Sequence, residues 1–272
     1  LHGYVQTALG QIHYTKVGTG APLVLLPAAG RSARMFAGLP EHLDGFETLA
    51  IDPPGFGRSD ALAPGTTLEQ LAGAIVEILD GLGLDSAAVY GLHTGNKIAT
   101  ALAVRHPARV RRLILSGQSH SLVPDRERRN AGIRSLIAAS VDLGAGLVGS
   151  EGRIAKAAEL AAKAPGGIHP GIGGNILDHM LDALEARGTP ALYQANLGYD
   201  LEGGYREIAV PTLILEIATP HETAAIGLQA PAVAALIRGA QTTTLQVPDC
   251  ANPLTLEDRP AELAAIIREF AR

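Results

Sequence analysis

The chain has no tryptophan, a single cysteine and only two methionines, and aromatic residues make up 4% of its 272 residues. Nucleic-acid binding by base stacking needs aromatic platforms, so that mode is excluded. Basic residues are also too few to make an anion-binding surface. Lys and Arg number 22 against 27 Asp and Glu, which leaves a net charge of −5, and the cations are spread along the chain. The short cluster Arg126, Arg128 and Arg129 contains Glu127 and reads as a solvated helix face. Neither nucleic acid nor a membrane surface is therefore expected as a partner. Cys250, being alone, forms no internal disulfide, and the expectation is a reducing, cytoplasmic setting. No apolar run approaches the roughly 18 residues of a membrane span. Residues 1–7 lack the basic and apolar regions of a signal peptide, so none is expected there. What the chain does hold is 47% hydrophobic residues and 32 glycines. That suits one large α/β domain with a sizeable core and an insertion.

Periodicity orders the elements. Tyr4 to Thr7 and Gln11 to Tyr14 flank Ala8-Leu9-Gly10 and predict a hairpin, with His13 facing solvent or a neighbour. Leu23 to Leu26 and Thr48 to Ile51 are apolar runs that fit buried strands. Leu71, Ile75, Ile78 and Leu79 recur at helical spacing and predict a helix over 68–79. Val110 to Leu115 predicts another strand. This alternation argues for a parallel, doubly wound sheet. It stops at Gly117. Stripes at Ile133–Val141, Ile154–Ala161 and Leu177–Leu184, and Thr189-Pro190 as N-cap and first helical residue, predict helices instead. The core resumes with a strand from Val210 to Leu215. A helix over 232–237, a strand over 242–247 and an amphipathic helix over 260–270 complete it.

The stretch Val89-Tyr90-Gly91-Leu92-His93-Thr94-Gly95 reads as a strand, a very tight turn and a helix start. It resembles the G-x-Nu-x-G nucleophile elbow of the α/β-hydrolase family. The segment Asp52-Pro53-Pro54-Gly55-Phe56-Gly57-Arg58-Ser59 is similar to that family's D-x-x-G-x-G-x-S loop, whose Asp and Ser brace a sharp turn. The resemblance implies an eight-stranded, mostly parallel sheet with helices on both faces. It further implies a core of residues 1–118 and 206–272, with 119–205 inserted as a helical cap. An apolar cap implies a small, largely apolar ligand.

The same resemblance assigns the site. Pro27-Ala28-Ala29-Gly30 falls where the family has its oxyanion loop, and the backbone N–H groups of Ala29 and Thr94 match the donors to a developing oxyanion. The elbow residue, Ser, Cys or Asp in the family, is His93 here. The position of the family's histidine falls on Asn252, which takes no proton at neutral pH. The usual acid is missing near Thr219 and Pro220. An ordinary Ser-His-Asp triad is therefore not available, and function does not follow from fold. Other polar groups at the strand ends are His221, Ser119, His120 and Asp249.

His93, with an ordinary pKa near 6.5, suits a general base or a nucleophile. The leading expectation is an enzyme acting on a small apolar ester, lactone, amide or acyl compound. Two others stand beside it: a cofactor-free lyase or isomerase with His93 as base, and a ligand-binding protein without catalysis. No cofactor is expected, and no tight ligand spacing supports a metal site at His93, His120 and His221. The sequence leaves a homo-oligomer open.

Overall fold

The computed structural model describes residues 1–117, 131, 134, 158, 178, 180–182, 184–218, 220, 223, 227–247 and 259–272. Eight strands form one sheet: β1 (His2–Thr7), β2 (Gly10–Gly18), β3 (Ala21–Leu26), β4 (Phe46–Ile51), β5 (Ala87–Leu92), β6 (Val110–Ser116), β7 (Thr212–Ala218) and β8 (Gln241–Gln246). Their order is β1-β2-β4-β3-β5-β6-β7-β8. The β1–β2 hairpin is antiparallel and closes with Thr7 opposite Gly10, and β2 pairs antiparallel with β4. Every pairing from β4 to β8 is parallel. The sheet is thus eight-stranded and mostly parallel, as the sequence predicts.

The described helices are α1 (Leu68–Gly81), α2 (Thr94–Arg105), α3 (Thr189–Gly198), α4 (Leu201–Glu207), α5 (Ala230–Ala234) and α6 (Pro260–Ala271). α1 starts with a capping box: the Gln70 amide donates to Thr67 Oγ1 and the Thr67 amide to Gln70 Oε1. Helices cover both faces of the sheet, so the central strands are buried on both sides. Val24, Leu26, Val89, Leu113 and Leu115 point into one cluster with α1 and α2. Leu23, Leu25, Tyr90, Ile114 and Leu215 point into the other with α6. Side chains alternate across a strand, so two apolar layers require the continuous apolar runs seen in the sequence. Each fully buried Leu or Ile contributes about 1.5–3 kcal/mol.

Some boundaries differ from expectation. Thr189 is the first helical residue of α3, and Gly188 takes the N-cap position. α5 begins at Ala230, with Pro231 in its first turn, and ends at Ala234. Beyond it the Leu236 and Ile237 amides bond back only three residues, which is a tight turn and not α-helix. The stripes expected at 133–141 and 154–161 lie outside the described residues, apart from single positions. Among the described residues no helix is long and apolar enough to cross a membrane.

Candidate active site

The C-terminal end of β5 turns straight into α2 at His93. His93 has φ 50 and ψ −105, and it alone among the described non-glycine residues has positive φ. Such a conformation is a steric outlier that costs on the order of 1–3 kcal/mol and persists only when its surroundings enforce it. Two close approaches do so here. A Cβ on Gly91 would lie 2.4 Å from the Gly95 carbonyl oxygen, and one on Gly95 would lie 2.1 Å from the Leu26 carbonyl oxygen. Only glycine fits at either position. The His93 amide donates to the Ser116 carbonyl at 3.1 Å, tying the turn to the end of β6. The side chain is half-buried, whereas its neighbours on the strand and helix are buried. The sharp turn holds it at the mouth of the sheet.

Thr94 is the first residue of α2, so its N–H is one of the helix-end donors without an intrahelical acceptor. Its side chain accepts from Asn196 Nδ2 at 3.0 Å. Two residues on, Asn96 Nδ2 donates to the Ser116 carbonyl at 3.2 Å, and Asn96 Oδ1 accepts from the buried Tyr205 hydroxyl at 3.1 Å. Polar bonds therefore fasten the start of α2 both to β6 and to α3 and α4.

Ala29 lies in the turn after β3. The Arg31 amide donates to the Ala28 carbonyl at 3.1 Å, and Gly30 has φ 81, the value that position i+2 of a type II turn requires. Among the described residues nothing accepts a hydrogen bond from the Ala29 amide. A short 3-10 helix (Ala33–Phe36) follows, N-capped by Ser32.

Asp52 braces this loop from one side. Its Oδ1 accepts from the Ala33 amide at 2.6 Å, and its Oδ2 from the Arg58 amide at 2.9 Å. His13 Nδ1 lies 2.8 Å from Asp52 Oδ2, so His13 is buried against a neighbour and not turned to solvent. The Ser59 hydroxyl donates to the Asp52 carbonyl at 2.6 Å and accepts from the His13 amide at 2.9 Å. The expected scaffold role of the 52–59 loop is what these bonds perform.

A second carboxylate, absent from the sequence reading, braces the loop from the other side. Arg31 Nε donates to Asp182 Oδ2 at 2.9 Å, the Ser32 hydroxyl donates to Asp182 Oδ1, and Arg34 Nη1 reaches the same oxygen at 3.1 Å. Arg31 and Asp182 are each 2% exposed. Arg34 also forks onto Glu185 at 2.7 and 3.1 Å. The Glu185 hydrogen bond holds the Arg34 guanidinium above its ordinary range, against the opposing effect of burial. Burial, and then the Asp182 charge, push the nearby Asp178 carboxyl upward despite Arg34 and Arg31. The available signal was the spacing of Asp178, Asp182 and Glu185, which fall on one helical face.

The structure thus places His93, Thr94 and Ala29 at the ends of adjacent strands, since β3 and β5 are paired neighbours. Asn252, His221, Ser119, His120 and Asp249 lie outside the described residues. Among the described residues no group of three or more His, Cys, Asp or Glu side chains is arranged to hold a metal ion.

Residues 21–134 match the family described as alpha/beta hydrolase fold. A 2-hydroxy-6-oxononadienedioate/2-hydroxy-6-oxononatrienedioate hydrolase of Burkholderia vietnamiensis is 33% identical over 114 residues, 39% of this chain and 40% of that protein. The chain therefore aligns with well under half the length of that curated relative. Among solved structures, a hydrolase from Pseudomonas aeruginosa PA01 superposes with a TM-score of 0.75 at 24% identity, covering 99% of this chain and 97% of that one. The enol-lactonase from Burkholderia xenovorans LB400 superposes with a TM-score of 0.70 at 22% identity, covering 98% of this chain and 99% of that one. At these identities the superpositions establish the fold.

Proposed function

We propose that this chain, which has the α/β-hydrolase fold, hydrolyses a small, largely apolar carbonyl compound, with His93 as the working group. The observation that carries this reading is the strained backbone of His93, φ 50 and ψ −105. Such strain is retained where it exposes a reacting side chain. A histidine needed only for packing gains nothing from it.

The chemistry follows from the neighbours. A neutral imidazole at His93 takes a proton from water as the water oxygen adds to the carbonyl carbon. The carbonyl π pair moves onto oxygen. The N–H groups of Ala29 and Thr94 receive that oxyanion, the second at the positive end of α2. When the tetrahedral centre collapses, the carbon–leaving-group bond breaks, and the departing oxygen or nitrogen takes the proton from the imidazolium. The Ala, Leu and Ile content of residues 119–205 favours an apolar acyl or lactone substrate.

A binding protein on the same scaffold is the second reading, favoured by His93 in the place of Ser, Cys or Asp and by Asn252 in the place of the family's histidine. A panel of aryl esters and lactones separates the two. The hydrolase reading expects turnover by the wild type, its loss in His93→Ala, and no strong esterase activity in His93→Ser, because a serine there lacks the family's base. Saturable binding without product formation would replace it with the binding reading.

A further inference from the structure

Both proposed oxyanion donors are tied to one distant stretch of chain. Ala29 precedes Arg31 and Ser32, whose side chains both donate to the Asp182 carboxylate. Thr94 accepts its side-chain hydrogen bond from Asn196. Between Asp182 and Asn196, the Arg187 and Gly188 amides both donate to the Gly55 carbonyl at 2.9 Å, so the stretch is also fastened to the 52–59 loop. There the backbones nearly touch: a Cβ on Gly55 would lie 2.6 Å from the Gly188 Cα.

We propose that the 178–196 stretch positions the oxyanion hole: Asp182 holds the Ala29 turn through Arg31 and Ser32, and Asn196 holds the start of α2 through Thr94. The hole is complete only while that stretch is docked on the core. This deepens the hydrolase reading and rests on it for the role given to Ala29 and Thr94. Electrostatics make the coupling strong. The Arg31 guanidinium is buried, and its Nε meets Asp182 deep inside, with side-chain exposures of 2% and 0%. If Asp182 withdrew, a buried cation would lose this counter-charge, which is far costlier than never having had the pair. Arg31 would swing toward water and take the Ala28–Arg31 turn with it. Asp182 and Asn196 are positioning residues, acting through Arg31, Ser32 and Thr94 on backbone donors.

The test uses the full chain as wild type, Asp182→Asn and Asp182→Glu, with Glu185→Gln as a control on the half-exposed edge of the cluster. Amide hydrogen exchange over 27–32 is read against exchange in β5 and α1. Asp182→Asn should speed exchange in 27–32 by about tenfold or more while β5 and α1 exchange as before, because a local opening has been made cheaper and the global one has not. Asp182→Glu should recover much of the protection, and Glu185→Gln should match the wild type. Unchanged exchange in 27–32, or a uniform rise that includes β5 and α1, overturns the proposal. Should Asp182→Asn fail to fold, Ser32→Ala removes one of the two bonds that Arg31 and Ser32 make to Asp182 and leaves the ion pair in place, and a smaller rise in exchange confined to 27–32 is required of it. On any ester that the wild type turns over, Asp182→Asn and Asn196→Ala should lower kcat and kcat/KM together with KM little changed. Faster loop exchange with kcat intact also overturns the proposal. A wild type that turns over nothing defeats the hydrolase reading, and the exchange result then decides separately whether Asp182 holds the turn.

Discussion

The His93 imidazole lies against the backbone of Gly117, where a Cβ would sit 2.8 Å from Nδ1 and 2.9 Å from Cε1. Gly117 follows β6 directly and has φ 61. The end of one strand therefore leaves the space that the ring at the end of its neighbour occupies. Gly117→Ala should act twice. It should lose about 1–2 kcal/mol of stability through the left-handed backbone, and it should push the ring out of place. Denaturant unfolding and the His93 ring resonances in NMR read the two effects separately. Unchanged ring resonances would contradict the contact.

Backbone strain at His93 predicts an order of stability among its variants. Glycine relieves the positive φ and alanine does not, so His93→Gly should be more stable than His93→Ala by about 1–2 kcal/mol. In an unstrained position glycine would be the less stable of the two. Chemical denaturation of both variants decides the matter, and an alanine variant that is more stable would remove the strain argument.

Asp178 sets a pH dependence. Burial and the Asp182 charge raise its pKa in the folded chain above the ordinary 3.8. The folded state then binds that proton more tightly than the unfolded state does, so stability is lost as pH rises from 3.8 through the raised value. Above the raised value the penalty is fully present, and it is small because the group is half-exposed and screened. Asp178→Asn should therefore raise Tm at pH 7, with the gain disappearing in acid. A variant less stable at pH 7 would contradict the sign.

Much of this was legible in the sequence where a local backbone demand fixes residue type. Gly91 and Gly95 flank the elbow because backbones cross there, and the 52–59 loop carries Asp52 and Ser59 because its turn needs bracing. Facing was harder. Alternation along β2 does not say which side of His13 is covered, since β2 lies between β1 and β4, and His13 proved to be the partner of Asp52. The Arg31–Asp182 bond joins residues 151 apart, beyond any periodicity. Acidic spacing on one helical face announced a partner but not which one.

Whether His93 is the base or nucleophile is decided by the single-turnover rate measured against pH. The substrate is whichever ester or lactone a screen with the wild type yields. A base or nucleophile needs a free lone pair, so the working form is the neutral ring. The wild-type rate should therefore fall on the acid side, as the ring takes up a proton. His93→Asn keeps a hydrogen-bonding side chain of similar shape but accepts no proton, and His93→Ala removes the group. Both should lose turnover while folding and binding ligand as before. An acid limb in the wild type that is missing, with its turnover, from both variants is the predicted result. Full activity in His93→Asn would contradict the account, excluding base and nucleophile roles for His93 together.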